Sequence, residues 1–234
     1  MKHIIKFWPS SFVLMVVLTM LNYSCKKADN NGNNTNNPPE NVSDIDGNIY
    51  HSVSIGTQVW MVENLKTTKF NDGTAIPMVI PDSIWEFLIT PAYCWYNNDE
   101  TIFKNPYGAL YNWYTVNTGK LAPKGWHVPS DADWQVLVDF LGGTLVGGGK
   151  MKEIDTIHWH NPNEGATNSS GFSGIPGGSR DEGSMSIGIY GFMWSSTEYD
   201  ASFSYDRTLF NNTPYVFRNI IPKTFGLSVR CLRD

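Results

Sequence analysis

Two segments towards the end of the chain contain the side chains best suited to holding a ligand. They are "GGSRDEG" and "WSSTE", and they contribute Arg180, Trp194, Ser195, Ser196 and Glu198. A guanidinium donates a planar pair of hydrogen bonds and an indole offers a stacking face, so the set can grip a sugar or a peptide carboxylate. Alternatively, Trp194 is part of the core and Arg180 braces a loop through backbone carbonyl groups. The second interpretation is favoured, and no catalytic residue is assigned.

A weaker pattern of oxygen-bearing side chains suggests a calcium site in a glycine- and asparagine-rich region. The candidate ligands are Asn161, Asn163, Glu164 and Asn168. Calcium prefers oxygen ligands, but asparagine is also common in ordinary turns, so calcium is a weak cofactor prediction. His158 and His160 can lie on one face of a strand, as metal chelation requires. A third ligand at a suitable spacing is missing, so exposed histidines beside a packed Trp159 are the favoured interpretation.

Two glycine-containing segments come close to catalytic motifs without completing them. "LVGGGKM" lacks the first glycine of a phosphate-binding loop, and Met151 stands where that loop requires serine or threonine. "GFSGI" has Ile175 where a nucleophile elbow needs its second glycine. No motif supports a serine–histidine–acid triad. A hydrolase that uses residues of the long loop therefore stays an alternative to simple ligand binding.

The N-terminal residues predict export and attachment to a membrane through lipid. Lysines precede an apolar run at 12–21, which has the length of a secretory signal and is too short to cross a bilayer. Ser24 followed by Cys25 resembles a bacterial lipobox, although Asn and Tyr occupy the two preceding positions. We therefore predict a lipoprotein signal peptide at 1–24 and lipidation of Cys25. An ordinary signal peptide and a retained membrane anchor are the alternatives.

Composition divides the rest of the chain into a tether and one domain. Residues 25–41 are rich in asparagine and have almost nothing to bury, which predicts a disordered tether. Residues 42–234 suit one domain with a sizeable core. The chain has 17 basic and 22 acidic residues, so removing the two signal-segment lysines leaves a net charge of −7. This excess of acid argues against nucleic acid as a partner and against direct adhesion to an anionic membrane.

The remaining cysteines predict a disulfide. If Cys25 carries lipid, Cys94 and Cys231 are left. An even pair in an oxidising compartment favours a bond, which would tie the middle of the domain to its last strand. Two buried free thiols are the alternative.

Local patterns predict the elements that must position these residues. Apolar residues between turn signals indicate a hairpin over 49–65, and the spacing of large side chains indicates a short helix around 110–117. Residues 143–190 show few repeated patterns and predict a long irregular loop, of a length that is usually functional or disordered. The segments after residue 190 predict closing antiparallel strands.

The best-defined element is a helix over 131–141. Ser130 is a suitable N-cap and Asp133 imitates a capping box, while acids in the first turn face the positive end of the helix dipole. Trp134 begins an apolar face with helical spacing, and Gly142 can end the helix in a left-handed conformation. Every polar residue here has a local role, so this segment indicates fold rather than chemistry.

Four segments in this order resemble one bacterial domain family. They are "GWHVPSDADWQVL", "GATNSSGFSGIPGG", "GFMWSSTE" and "GLSVRCLRD". Together they resemble the Fibrobacter succinogenes major paralogous domain over residues 44–234. That family is common in lipoproteins and secreted proteins of Bacteroidetes and their relatives. Its own function is not established, so the resemblance implies a domain type and not an activity.

A more distant similarity implies the fold. "HVPSDADWQVL" and "SVRCL" are similar to segments of formylglycine-generating enzyme relatives, which have a C-type-lectin-like fold. The resemblance implies an α+β domain with two short helices, small antiparallel sheets joining the chain ends, and a long irregular loop region. Those enzymes hold copper with a cysteine pair near the C-terminus, and this chain has only Cys231 there, so copper chemistry is not expected. The residues assigned structural roles are Trp126, Ser130, Trp134 and Arg230.

These observations predict a lipid-anchored lipoprotein of the bacterial outer membrane, facing the periplasm or the cell surface. Its domain is expected to bind a glycan or a protein without catalysis, and only the lipid is expected to contact the membrane. The alternatives are an extracytoplasmic hydrolase and a structural component of envelope assembly.

Overall fold

Frequent turn residues and short apolar runs divide this chain into many short strands and a few short helices, an α+β arrangement. The computed structural model describes residues 41–181 and 183–234. The predicted signal peptide at 1–24, the lipidation site Cys25 and the tether up to residue 40 lie outside them. Within the described ranges, no helix is long and apolar enough to cross a membrane.

The elements alternate irregularly along the chain. The α-helices of the described residues are α1 (Asp82–Trp85), α2 (Glu100–Tyr107), α3 (Trp113–Val116), α4 (Asp131–Phe140) and α5 (Thr144–Met151). The strands before α4 are β1 (Val42–Ser43), β2 (Ile49–Tyr50), β3 (Ser52–Ile55), β4 (Gln58–Met61), β5 (Tyr93–Cys94), β6 (Leu110–Tyr111) and β7 (Trp126–His127). The strands after α5 are β8 (Ser179–Arg180), β9 (Ser184–Met185), β10 (Tyr190–Glu198), β11 (Phe203–Phe210), β12 (Val216–Pro222) and β13 (Leu232–Arg233).

A four-stranded antiparallel sheet joins the two ends of the domain, in the order β3-β4-β13-β7. Strands β3 and β4 form the predicted hairpin, and the last strand pairs with β4 through Leu232 and Trp60. Leu232 also pairs with His127 on β7, beside the half-buried Trp126. The beginning and the end of the domain are therefore held together by backbone hydrogen bonds.

The predicted closing strands form a second antiparallel sheet, in the order β10-β11-β12. Side chains alternate between its faces. Leu209 and Val216 share a buried apolar cluster with Trp134 of α4 and Met151 of α5, so those two helices cover one face. This arrangement buries the apolar side of α4, which is what the spacing of its residues predicted.

Helix α4 forms where its cap and its apolar spacing predicted it. The Ser130 hydroxyl accepts the backbone N–H of Asp133 (3.2 Å), and the Asp133 carboxylate accepts the backbone N–H of Ser130 (2.8 Å). A cap of this kind contributes about 1 kcal/mol to stability. Gly142 follows with a φ of 95°, which glycine adopts without strain. The buried Trp134 ring lies 4.7 Å from the Trp60 ring and joins the helix to the first sheet.

Arg230 fixes the long loop to the end of the chain. Its guanidinium is fully buried, donates to the carbonyl oxygens of Phe172 and Ser173, and lies 4.3 Å from the centre of the Phe172 ring. Its Nε donates to the Asn64 side chain (3.2 Å). Burial lowers the pKa of Arg230 to about 9, so the group stays charged at neutral pH.

The predicted loop at 143–190 begins with a helix that the sequence did not indicate. Helix α5 contains three consecutive glycines at 147–149, which have low helix propensity. Glycine is needed here because the helix packs directly against the backbone of Pro214 and Tyr215, which leaves no room for a side chain at Gly148. Most of the region between α5 and β8 is irregular, as predicted.

The described residues contain more helices than the two that the sequence predicted. Helix α4 is as expected, and the helix predicted around 110–117 is reduced to α3, because Leu110 and Tyr111 pair with β5 instead. Helix α2 begins at the cap residue Asp99, which accepts the N–H of Ile102 (3.1 Å). That cap lies in a segment of low periodicity, where the sequence pattern favours a loop.

The predicted disulfide was wrong, and both cysteines are free and buried. Cys94 packs in an apolar cluster with Trp85 and Leu110, whereas Cys231 lies in a different cluster with Met61. Each thiol is therefore enclosed by its own set of apolar side chains. Burial raises the pKa of Cys94 to about 11 and also raises that of Cys231, which keeps both thiols protonated.

Candidate functional site

The side chain of Arg180 is buried, and it holds neighbouring segments of the chain together instead of lining a ligand site. Its side chain is 1% exposed, its guanidinium donates to the carbonyl oxygens of Val79 (2.7 Å) and Ile80, and it forms an ion pair with Asp82 (2.6 Å). The guanidinium also lies 4.6 Å from the centre of the Trp85 ring. All of its donors are used within the domain, as the favoured interpretation of the sequence expected.

The tryptophan and the first serine of "WSSTE" belong to the core. Trp194 is fully buried and its Nε1 donates to the carbonyl oxygen of Tyr111 (2.7 Å). Ser195 is also fully buried, and its hydroxyl accepts the N–H of Thr197 (3.1 Å). Ser196 is half-buried and lines a separate cavity beside His127.

Glu198 is exposed but already paired. Its carboxylate lies 2.5 Å from the ammonium of Lys223. That ammonium also donates to the carbonyl oxygens of Asp200 (2.6 Å) and Ala201 (3.1 Å) and lies 4.5 Å from the centre of the Trp113 ring. The five residues predicted to form one ligand site thus do not converge on a common cavity.

The calcium candidates take part in turns around a buried lysine. The side chains of Asn163 and Asn168 are bonded to neighbouring turn atoms, and the carbonyl oxygen of Asn161 accepts from Asn211. Where carbonyl oxygens converge, the ammonium of Lys152 donates to those of Glu164 (2.8 Å), Phe210 (2.9 Å) and Thr213 (3.1 Å). Burial lowers the pKa of Lys152 to about 8. The described residues contain no cluster of three acidic, histidine or cysteine side chains arranged for a metal.

A cavity of about 280 Å³ is lined in part by Asp181, the residue that follows Arg180 in the chain. We call it the Phe87 pocket. Its lining residues are Glu86, Phe87, Asp181, Pro222, Thr224 and Phe225. Two aromatic rings and a proline form its apolar walls, and two carboxylates stand beside them. Such a mixture of apolar surface with a few polar groups is characteristic of small ligand sites.

Arg180 positions every wall of the Phe87 pocket. Its guanidinium holds Asp82 at the start of α1, and the residues that follow α1 supply one wall. Asp181, on the second wall, is its neighbour in the chain. The residues of the third wall come just before Gly226 in the chain. The backbone of Gly226 exchanges two hydrogen bonds with that of Arg180 (2.9 and 2.7 Å). The residue singled out from the sequence therefore lies behind the site and fixes its shape.

Both carboxylates of the Phe87 pocket are available to a ligand. Glu86 and Asp181 form no ion pair with any described residue, whereas Asp82 beside them is held by Arg180. The ring of Phe87 is 76% exposed, an unusual condition for so large an apolar side chain. The pocket therefore offers unpaired negative charge and exposed aromatic surface together.

The family model of the Fibrobacter succinogenes major domain matches residues 53–233. The chain belongs to this family. No curated protein and no solved structure matches the chain. The resemblance seen in the sequence is thereby confirmed at the level of the family, and the similarity to formylglycine-generating enzyme relatives stays a prediction.

Two of the other concavities in the described part of this Fibrobacter succinogenes major domain also contain ionisable side chains. One is an open cleft where Asp131, at the first turn of α4, pairs with Arg207 (2.7 Å) and Arg218 (2.9 Å). Burial opposes ionisation of Asp131, but the hydrogen bonds from the two arginines outweigh it and lower its pKa. The other is the cavity of about 210 Å³ beside His127, whose Nδ1 lies 2.7 Å from Asp234. In the first of these the Asp131 carboxylate is already paired with two arginines.

In this family domain, the sequence patterns did not indicate most of the residues that line the Phe87 pocket. Asp181 lies in the "GGSRDEG" segment, but Phe87 and Phe225 lie in segments that contain no recognisable motif. One signal was present: apolar side chains are frequent at 78–89, in a segment without the periodicity of a core element. Five of them are at least half exposed, namely Met78, Ile80, Ile84, Phe87 and Ile89. We call these five side chains the 78–89 apolar patch.

Proposed function

We propose that this protein is a lipid-anchored lipoprotein of the bacterial outer membrane whose domain binds a ligand without catalysing a reaction. The observation that carries the proposal is the Phe87 pocket, with its exposed ring and its two unpaired carboxylates. A rigid frame holds this pocket, because Arg180 links all three of its walls. Preorganisation of this kind reduces the entropy that binding costs.

We further propose that the domain has a C-type-lectin-like fold. The sheet that joins the chain ends, the capped helix α4 and the irregular region before the closing strands support this relationship. In this arrangement loops on a rigid scaffold carry the binding residues, which is common among proteins with recognition functions. The Phe87 pocket is built from such connecting segments.

Binding without catalysis agrees with how the charged side chains are used. The buried cations Arg180, Arg230 and Lys152 donate mainly to backbone carbonyl groups and hold loops in place. Catalytic acids and bases are typically buried side chains that reach a cavity. The carboxylates of the Phe87 pocket lie at its surface, where they suit recognition of hydroxyl groups or cations.

Truncating the exposed ring should remove binding. Glycan and peptide arrays probed with the full chain should identify a ligand, and Phe87→Ala should weaken its affinity by about tenfold or more, the effect of losing an aromatic anchor. Leu145→Ala is the matched control, because Leu145 is 63% exposed on α5, outside the pocket. Equal binding by both variants, or no ligand on either array, would contradict the proposed function.

The lipid anchor is tested by a single substitution. When the chain is expressed in a bacterium with lipoprotein processing, it should enter the detergent phase of a Triton X-114 partition. Cys25→Ala should move it to the aqueous phase, because acyl chains on that cysteine supply the apolar surface. Cys94→Ala should stay with the detergent. Wild-type chain in the aqueous phase would overturn the lipoprotein assignment.

A further inference from the structure

We infer that the Phe87 pocket binds a cationic side chain, arginine or lysine, of a partner protein, and that apolar residues beside this cation cover the 78–89 apolar patch. The inference rests on the proposed binding function and names the class of ligand. Its elements are the aromatic walls, the two unpaired carboxylates and the exposed aliphatic side chains next to them.

Besides Lys104, which lies beside the Trp95 ring and pairs with Glu100, the chain binds its own cations in the same way at three places. Arg180 lies over the Trp85 ring (4.6 Å) and pairs with Asp82. Arg218 lies over the Tyr205 ring (3.8 Å) and pairs with Asp131. In the third instance, Lys223 combines a tryptophan ring with Glu198. A ring face and a carboxylate together attract a cation more strongly than either group alone.

The Phe87 pocket repeats this composition without a cation from the chain itself. Its rings belong to Phe87 and Phe225, and its carboxylates belong to Glu86 and Asp181. Lys223 is the nearest lysine along the chain, but its ammonium is fully engaged with Glu198 and two carbonyl oxygens. Among the described residues, the charge of the two pocket carboxylates is not balanced by an ion pair.

The 78–89 apolar patch indicates that the cation belongs to a polypeptide. The patch adds four aliphatic side chains to the ring of Phe87. A saccharide would lose hydrogen bonds to water against aliphatic surface, whereas apolar side chains of a partner would gain about 25 cal/mol for each Å² buried. An anionic membrane would be repelled by the unpaired carboxylates of Glu86 and Asp181. Several exposed apolar side chains in one segment, next to carboxylates that lack a cation, are typical of a protein interaction site.

A peptide array with isosteric controls tests the inference. Hexapeptides carry arginine, lysine, citrulline or glutamate at the third position, with isoleucine, leucine, methionine or valine elsewhere. The full chain should bind the best arginine or lysine peptides at least about tenfold more tightly than their citrulline partners, measured by fluorescence anisotropy. This preference should weaken as salt is raised, because the contact depends on charge.

Variants of the pocket distinguish recognition of charge from nonspecific binding of apolar peptides. In the double variant Glu86→Gln and Asp181→Asn, the preference for arginine over citrulline should fall to about twofold or less. Asp139→Asn, an exposed carboxylate on α4, should retain the full preference. Equal affinity for arginine and citrulline peptides would overturn the inference, as would a preference that survives in the double variant.

The outcomes also distinguish the inference from the proposed function. A glycan whose binding is lost in Phe87→Ala, without discrimination among the peptides, would overturn the inference and leave the binding function intact. Adsorption to neutral phosphatidylcholine vesicles that depends on Phe87, again without peptide discrimination, would assign the patch to lipid and overturn the inference. Absence of any binding that depends on Phe87 would overturn both.

Discussion

Replacing Gly148 with alanine should destabilise the domain by about 3 kcal/mol or more, although alanine is the better helix former. A Cβ atom at this position would lie 2.2 Å from the carbonyl oxygen of Tyr215 and 2.9 Å from that of Pro214. Both neighbours are backbone atoms and cannot rotate away, so α5 would have to separate from the chain beneath it. The loss in the free energy of unfolding can be measured by urea denaturation.

The adjacent glycine provides the matched control. A Cβ atom on Gly147 would lie 3.3 Å from a methyl group of Val216, which is a side chain and can adjust. Gly147→Ala should therefore change stability by less than about 1 kcal/mol, since helix propensity favours alanine and the contact is only tight. If the two variants were equally stable, close backbone packing would not be the reason for glycine in this helix.

Raising the pH from about 4 to about 7 should cost the domain about 2 kcal/mol through Asp206 alone. This carboxyl is buried on β11, and burial raises its pKa to about 6, against a hydrogen bond from Thr208 that lowers it. The folded state therefore binds more protons than the unfolded state between the ordinary pKa and about 6. Its stability falls as the pH rises through that range.

The local geometry explains why the charge of Asp206 is not compensated. Its Oδ2 accepts from the Thr208 hydroxyl (2.5 Å), but its Oδ1 has no hydrogen-bond partner among the described residues. Arg207 is adjacent in the chain, yet alternation along the strand directs its guanidinium to the opposite face, where it pairs with Asp131. The position of Arg207 next to Asp206 in the chain therefore does little to stabilise the ionised form of Asp206.

Two substitutions isolate the contribution of Asp206. In Asp206→Asn the side chain stays neutral, so the difference in unfolding free energy between variant and wild type should grow by about 2 kcal/mol from pH 4 to 7. Thr208→Val removes a hydrogen bond that favours the ionised form, so the fall in stability should move to higher pH. A constant difference between Asp206→Asn and wild type across this range would show that Asp206 does not titrate as described.

Local patterns in the sequence determined the elements whose stability is itself local. Helix α4 has its cap, its acidic first turn and its apolar face within the residues 130–142, and the structure contains each of them. The hairpin of β3 and β4 and the three closing strands follow from alternation and turn residues in the same way. Two of the segments that resemble the family, "GWHVPSDADWQVL" and "GFMWSSTE", lie largely in these elements, where residue types are set by neighbours close in the chain.

Three features depend on the tertiary structure alone. They are the formation of helix α5 at three glycines, the absence of a bond between Cys94 and Cys231, and the location of the Phe87 pocket. The partners that decide them are distant in sequence: Arg180 holds Val79 across 101 positions, and Gly148 fits against Tyr215. The Phe87 pocket likewise unites the residues after α1, the turn after β8 and the segment after β12. Local propensity and periodicity contain no information about such contacts, since a side chain's role there depends on which backbone the fold brings beside it.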